Sequence, residues 1–166
     1  LLWPAMLMSA GLEVPRQIAV HGFVYNNGEK MSKTLGNVID PMVLIQTYPL
    51  DSVRYFFMRE IPFDADGNYS SEQFTQRYNG DLANGIGNLA ARVLAMTEKF
   101  CGGKVPSITP SAHTVEFWAS YEKCVSDFKI HDCLKTIIDM VRFGDTLIDK
   151  EKPWALAKEN QTERIN

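Results

Sequence analysis

Two lysines three positions apart, Lys30 and Lys33, lie in the run Lys30-Met31-Ser32-Lys33-Thr34-Leu35-Gly36-Asn37-Val38. Ammonium groups on flexible stems are mobile charges for phosphate oxygens, and the hydroxyls of Ser32 and Thr34 are short donors beside them. Gly36 permits positive φ and a close approach of backbone to ligand. The chemistry implied is the gripping of a polyphosphate. A Walker loop is excluded, because no G-x-x-x-x-G-K-[ST] occurs. Two lysines alone describe a solvated basic turn equally well. His21-Gly22 upstream and Asp40-Pro41 downstream favour the phosphate reading.

A second group lies further along. Asn88 and Arg92 are four apart, hence on one face of a helix spanning Asp81 to Phe100. An amide and a guanidinium so placed can read the edges of unpaired bases. By position alone the pair reads first as surface residues making local hydrogen bonds. Gly85 and Gly87 in the same helix each cost about 1 kcal/mol relative to Ala. They imply close approach of a backbone or ligand, or a kink. Trp154 follows Pro153 at a helix start. It reads either as a residue capping the core or as a platform on which a base stacks.

The elements that must position these groups are legible from caps and periodicity. Residues 4–10 read as the end of a buried helix stopped by Gly11, and Gln17 to Val20 as a short strand. Phe23 to Tyr25 reads as a second strand, followed by a tight turn at Asn26-Asn27-Gly28. Asp40 as N-cap with Pro41 at N1 opens a helix to about Thr47, and Asp51 caps another from Ser52 to Glu60. Asp64 to Asn68 is rich in turn residues. From Ser71 the pattern becomes helical. Leu82, Ile86, Leu89, Val93, Met96 and Phe100 form one apolar stripe expected to be buried. Trp118, Tyr121, Val125 and Phe128 form a second stripe. Ile130, Leu134, Ile137, Val141 and Ile148 form a third, with a gap at Gly144.

Composition narrows the function. The 166 residues carry a net charge of −3 and 45% hydrophobic residues, enough for a core without a global basic field. Contact with RNA must therefore be local; DNA is not expected. Cys101, Cys124 and Cys133 lack metal-ligand spacing, so no metal site is expected, and their odd number suits a reducing compartment. No apolar run reaches the roughly 18 residues of a membrane span, and no basic region precedes an apolar one as in a signal peptide.

Together these pieces resemble the bacterial-type methionyl-tRNA synthetases, a family of class I aminoacyl-tRNA synthetases. The likeness rests on Trp3-Pro4-Ala5, His21-Gly22-Phe23, Lys30 to Asn37, Arg54-Tyr55, Arg59-Glu60 and Phe63 to Gly67. It continues in Asp81-Leu82-Ala83-Asn84, Gly87-Asn88-Leu89 with Arg92, and Pro153-Trp154-Ala155-Leu156-Ala157-Lys158. The lysine run matches the KMSKS signature that several class I synthetases share. The D-L-A-N-x-x-G-N-L-x-x-R and P-W-x-L-A-K segments are more specific to the methionine family.

The resemblance implies a mainly α fold with three parts. Residues 1–22 would end a Rossmann catalytic domain. Residues 23–70 would form a small α/β stem-contact region bearing the KMSKT loop. Residues 71–166 would form an incomplete anticodon-binding helical bundle. It implies ATP as substrate, with Mg2+, bound by Lys30, Met31, Ser32, Lys33, Thr34, His21 and Gly22. Lys30 and Lys33 would be catalytic, stabilising charge on the departing pyrophosphate. Trp3 would line a methionine pocket. Asn88, Arg92 and Trp154 would read the anticodon of tRNA(Met). Thr34 replaces the usual serine, while Asp145 and Leu147 stand where the family often has Asn and Tyr. No HIGH motif and no zinc-bearing insertion occur in the sequence. A piece of a longer bacterial cytoplasmic enzyme, less readily a mitochondrial one, is expected, itself inactive. Another class I synthetase, such as the cysteine or leucine enzyme, and a free-standing tRNA-binding module are the alternatives.

Overall fold

A computed structural model describes residues 1–105, 107, 109 and 111–158. The last eight residues of the expected bundle, 159–166, lie outside them. The fold is mainly α, with a three-stranded sheet near the N-terminus.

Helix α1 (Leu2–Ser9) has no buried residue, so the helix expected to be buried is instead exposed in this chain. The strand expected at Gln17–Val20 does not form. Strand β1 (Val24–Asn26) turns through Asn27 (φ 52°) and Gly28 (φ 79°) into β2 (Glu29–Lys30). Two consecutive positive φ values mark the primed turn that Asn-Gly favours, whose twist suits a hairpin. Tyr25 faces Lys30 and Asn26 faces Glu29 in antiparallel register. Strand β3 (Gly67–Tyr69) pairs parallel to β1 on its other side, giving the order β2-β1-β3. It occupies the end of the stretch expected to be loop.

Helix α2 (Pro41–Thr47) starts as expected, with the Asp40 carboxylate accepting the Met42 N–H at 2.8 Å. Helix α3 (Leu50–Glu60) begins two residues earlier than expected, so Asp51 sits in its first turn rather than at its cap. The compact core lies between α2, α3, β3 and α4 (Ser71–Arg77) and comprises Leu44, Val53, Phe56, Tyr69 and Phe74. Phe56 and Phe74 are each 1% exposed, with ring centroids 5.2 Å apart. Truncating either to Ala would cost about 3–5 kcal/mol. This core fixes β3, and through β3 the β1–β2 hairpin.

Helix α4 runs on without a break into a π-helical segment, Tyr78–Gly87, and then α5 (Asn88–Cys101). The widened turns account for both glycines. A Cβ on Gly85 would lie 3.1 Å from the Gly80 carbonyl oxygen, and one on Gly87 3.1 Å from that of Leu82. The approaching backbone is the helix's own, five residues back. Gly102 and Gly103, both at positive φ, end α5.

Helices α6 (Ala112–Ser126) and α7 (Ile130–Glu151) form an antiparallel hairpin, and α7 also packs on α3 and α5. Burial is shallower than the stripes suggested. Val93, Trp118, Val125 and Phe128 are exposed, and α5 and α6 contain no fully buried residue. On α7 the buried residues are Cys133, Ile138 and Val141, only one of them on the expected stripe. The gap at Gly144 is where α7 meets α5, since a Cβ there would lie 3.1 Å from Leu89 Cδ2. Lys152 (φ 48°) then turns the chain into α8 (Pro153–Lys158).

Candidate nucleotide and nucleic-acid sites

The lysine run leaves β2 and closes on itself. The Asn37 carboxamide oxygen accepts the Ser32 N–H at 2.8 Å, and its amide donates to the Lys30 carbonyl at 3.2 Å. Asn26, in β1, donates from its amide to the Asn37 carbonyl at 2.8 Å, tying the loop's end to the hairpin. Inside the ring, the Ser32 hydroxyl oxygen accepts the Thr34 N–H at 3.2 Å, and Gly36 takes φ 66°. Ser32 therefore braces the loop while its own O–H proton stays available. Met31 is half-buried, and Lys33 and Thr34 are exposed. Among the described residues, no carboxylate pairs with Lys33. The loop backbone is thus held by side-chain bonds while the Lys33 ammonium is left exposed.

Lys30 is held differently. Its ammonium stands 5.0 Å from the centroid of the Phe23 ring. Phe23 donates its N–H to Asp66 Oδ1 at 2.7 Å and accepts from the Gly67 N–H at 2.8 Å. The Asp66 charge, and then its hydrogen bond to the phenol, push the pKa of Tyr25 up. Gly22 lies so close to the 65–66 backbone that a Cβ would overlap the Ala65 carbonyl. His21 bonds through Nδ1 to the Gly22 carbonyl at 2.7 Å, which requires the proton on Nδ1 and leaves Nε2 free to accept when the ring is neutral. The same imidazole lines a cavity of about 190 Å³ with Phe57, Met58, Ile61, Phe63 and Ile130.

Trp3 is 70% exposed on α1, and no described contact joins it to the lysines or to His21. The structure thus joins Lys30 to Thr34 and the His21–Phe23 segment through the β1–β2 hairpin and the Lys30–Phe23 contact.

The second group is assembled across helices. Arg92 donates from one guanidinium nitrogen to Asp145 at 2.9 Å and from another to Asp149 at 2.7 Å. These carboxylates are four apart on α7, so they present one fork to α5. The hydrogen bond to Asp149 pushes the Arg92 pKa up, opposed by desolvation and helped by both carboxylate charges. Asn88, one turn before Arg92, is exposed. Val93, Met96 and Thr97 of α5 face Ile148 of α7 and Pro153 of α8 across a cleft of about 210 Å³. Trp154 is therefore carried beside the α5 surface that bears Arg92, with 42% of its surface exposed. Asp149 and Asn37 were not foreseen. Asx at the end of a short loop, and i,i+4 acids on a helix opposite an arginine, were the available signals.

Where α3 meets the helical segment, Tyr55 donates to Asp81 at 2.8 Å, while Arg77 reaches Glu60 at 2.9 Å and Asp81 at 3.4 Å. Asp81 is only 5% exposed, and these partners satisfy its buried carboxylate. Burial, and then the bond to Asp81, push the Tyr55 pKa up. This junction connects the sheet-bearing half to the long helix carrying Asn88 and Arg92. Among the described residues no cluster of three or more His, Cys, Asp or Glu could hold a metal, and no helix is long and apolar enough to cross a membrane.

A lysine loop on a small sheet is followed by helices that carry Asn88, Arg92 and Trp154. The model for class I tRNA synthetases of the M type covers residues 1–94, and the chain belongs to that family. Methionine–tRNA ligase of Mycobacterium leprae is 60% identical over 164 residues, and that of Mesorhizobium japonicum is 48% identical over the same length. Each match takes in 94% of this chain, but only 30% and 32% of those relatives. The chain thus spans about a third of their length. The Mycobacterium tuberculosis methionyl-tRNA synthetase bound by methionyl-adenylate superposes with a TM-score of 0.77 at 40% identity, covering 93% of this chain and 32% of that one. Its free-state structure gives 0.73 at 37% identity.

Proposed function

We propose that this chain is the part of a methionine–tRNA ligase that carries the ATP-gripping lysine loop and the anticodon-reading helices. The observation that carries the reading is the loop closed by Asn37 around an unpaired Lys33. In methionine activation, a methionine carboxylate oxygen attacks the α-phosphorus of ATP and the bond to the β-phosphate oxygen breaks. Negative charge grows on the departing pyrophosphate. Lys33 and Lys30 meet that charge, with Mg2+ arriving as part of the nucleotide substrate. Because the loop backbone is set beforehand, little reorganisation is needed at the moment of reaction. Ser32 and Thr34 keep O–H donors at the loop's rim, and His21-Gly22 borders the nucleotide. Trp3 is assigned to the methionine pocket through the family resemblance alone.

Residues 1–22 are assigned to the end of the catalytic domain, 23–70 to the stem-contact region, and 71–166 to the anticodon-binding bundle. There Asn88 and Arg92 hydrogen-bond to base edges of tRNA(Met), and Trp154 offers its exposed face for stacking. The bacterial cytoplasm is the compartment this role implies.

ATP–pyrophosphate exchange by the intact protein, run with methionine, cysteine and leucine in turn, tests the assignment. Methionine alone should drive exchange. Exchange driven by cysteine or leucine would move the chain to another class I specificity. Tight tRNA binding with no exchange would make it a free-standing binding module.

A further inference from the structure

Phe23 has no part in the chemistry described so far, yet it is the residue over which Lys30 rests. Its ring is 64% exposed, so burial does not explain an aromatic there. Its backbone, by contrast, is pinned on both sides, by Asp66 at 2.7 Å and Gly67 at 2.8 Å, with Gly22 packed hard against Ala65 just before it. The register explains the contact. Tyr25 faces Lys30 across the hairpin, and Phe23, two residues before Tyr25, is its diagonal neighbour on the same face. Diagonal pairs lie within reach of long and aromatic side chains. An ammonium over a ring face is drawn to its quadrupole, by about two- to five-fold in population at an exposed site. That is enough to bias the lysine toward one position and too little to compete with a phosphate.

From this geometry we propose that Phe23, anchored by Asp66, is a positioning residue that presets the Lys30 ammonium for ATP. The proposal rests on the reading of Lys30 as an ATP-binding residue. Without the ring, Lys30 samples solvent and must be recruited from many rotamers when the nucleotide binds.

The test is a double-mutant cycle in the intact synthetase, followed by ATP–pyrophosphate exchange. Phe23→Leu, which keeps apolar bulk but removes the ring face, should lower kcat/KM for ATP by roughly two- to five-fold. KM for methionine and Tm should not move, and Phe23→Tyr should restore the activity. In a Lys30→Ala background, Phe23→Leu should cost nothing more. Three results would overturn the proposal: wild-type kinetics for Phe23→Leu while Lys30→Ala is impaired, an equal loss from Phe23→Leu in the Lys30→Ala background, or a loss accompanied by a fall in Tm that Phe23→Tyr does not repair. Wild-type kinetics for Lys30→Ala would remove the ATP role of Lys30, and this proposal with it.

Discussion

Asn37 accepts the backbone N–H of Ser32 at 2.8 Å, five residues back, and so converts the lysine run from a flexible stretch into a closed loop. The same side chain returns a bond to the Lys30 carbonyl. Position 37 thus fixes where both lysines start. Asn37→Ala should lower methionine-dependent ATP–pyrophosphate exchange along with a modest loss of stability. The two lost bonds are worth about 1–3 kcal/mol together. A variant with full exchange activity would show that the clasp has no part in activation.

Trp154 keeps 42% of its surface exposed, on a helix of six residues whose one buried residue is Leu156. A tryptophan serving mainly as core would be nearly hidden. Trp154→Ala should therefore raise the tRNA KM at least several-fold and leave exchange with methionine near normal. The cost in stability should stay below the roughly 3–5 kcal/mol of a fully buried Trp truncation. Comparing tRNAs with CAU and altered anticodons checks the role. Equal losses on both, with a large drop in Tm, would return Trp154 to the core.

Arg92 is shared by Asp145 and Asp149, a trio with net charge −1 beside the surface proposed to meet RNA. Asp145→Asn keeps an acceptor for the guanidinium and removes one negative charge. It should lower the tRNA KM, more at low salt than at high, because charge contributions to nucleic-acid binding are screened. Exchange kinetics should stay unchanged. A tRNA KM insensitive to the substitution at every salt concentration would contradict the electrostatic account.

Tyr55 is kept neutral by burial and by its bond to Asp81. Its folded-state pKa is raised above the ordinary 10.0, so the unfolded chain loses this proton first as pH rises. The stability it contributes is complete below about pH 10 and is lost as pH climbs toward the folded-state value. Tyr55→Phe should cost about 1–2 kcal/mol at neutral pH. It should also flatten the alkaline fall in Tm relative to the parent, and an unchanged alkaline limb would show that Tyr55 does not carry it.

The local signals in the sequence were read correctly because local chemistry decides them. Asn27-Gly28 supplies the two positive φ values of a hairpin turn, and Asp40-Pro41 caps and starts α2. The misreadings share a physical cause. Strand β3 is made of Gly67, Asn68 and Tyr69, poor strand formers apart from the tyrosine, and exists because β1 lies alongside it. Gln17–Val20 has better composition but gains no partner. The π-helical turns of Tyr78–Gly87 break the 3.6-residue periodicity on which the first stripe was drawn. Of the candidate site, the lysines and the Asn88–Arg92 spacing were visible. Asn37, Phe23 and Asp149 make contacts that arise only in the folded chain.

Lys33 is proposed to meet charge that develops on the pyrophosphate. Pre-steady-state methionyl-adenylate formation by the intact synthetase tests it most directly. Lys33→Ala should slow the forward rate by roughly two to three orders of magnitude, the scale of losing one preorganised charge-stabilising group. Methionine affinity should be unchanged, because the interaction belongs to the transition state. A forward rate equal to that of the unaltered enzyme would contradict the account.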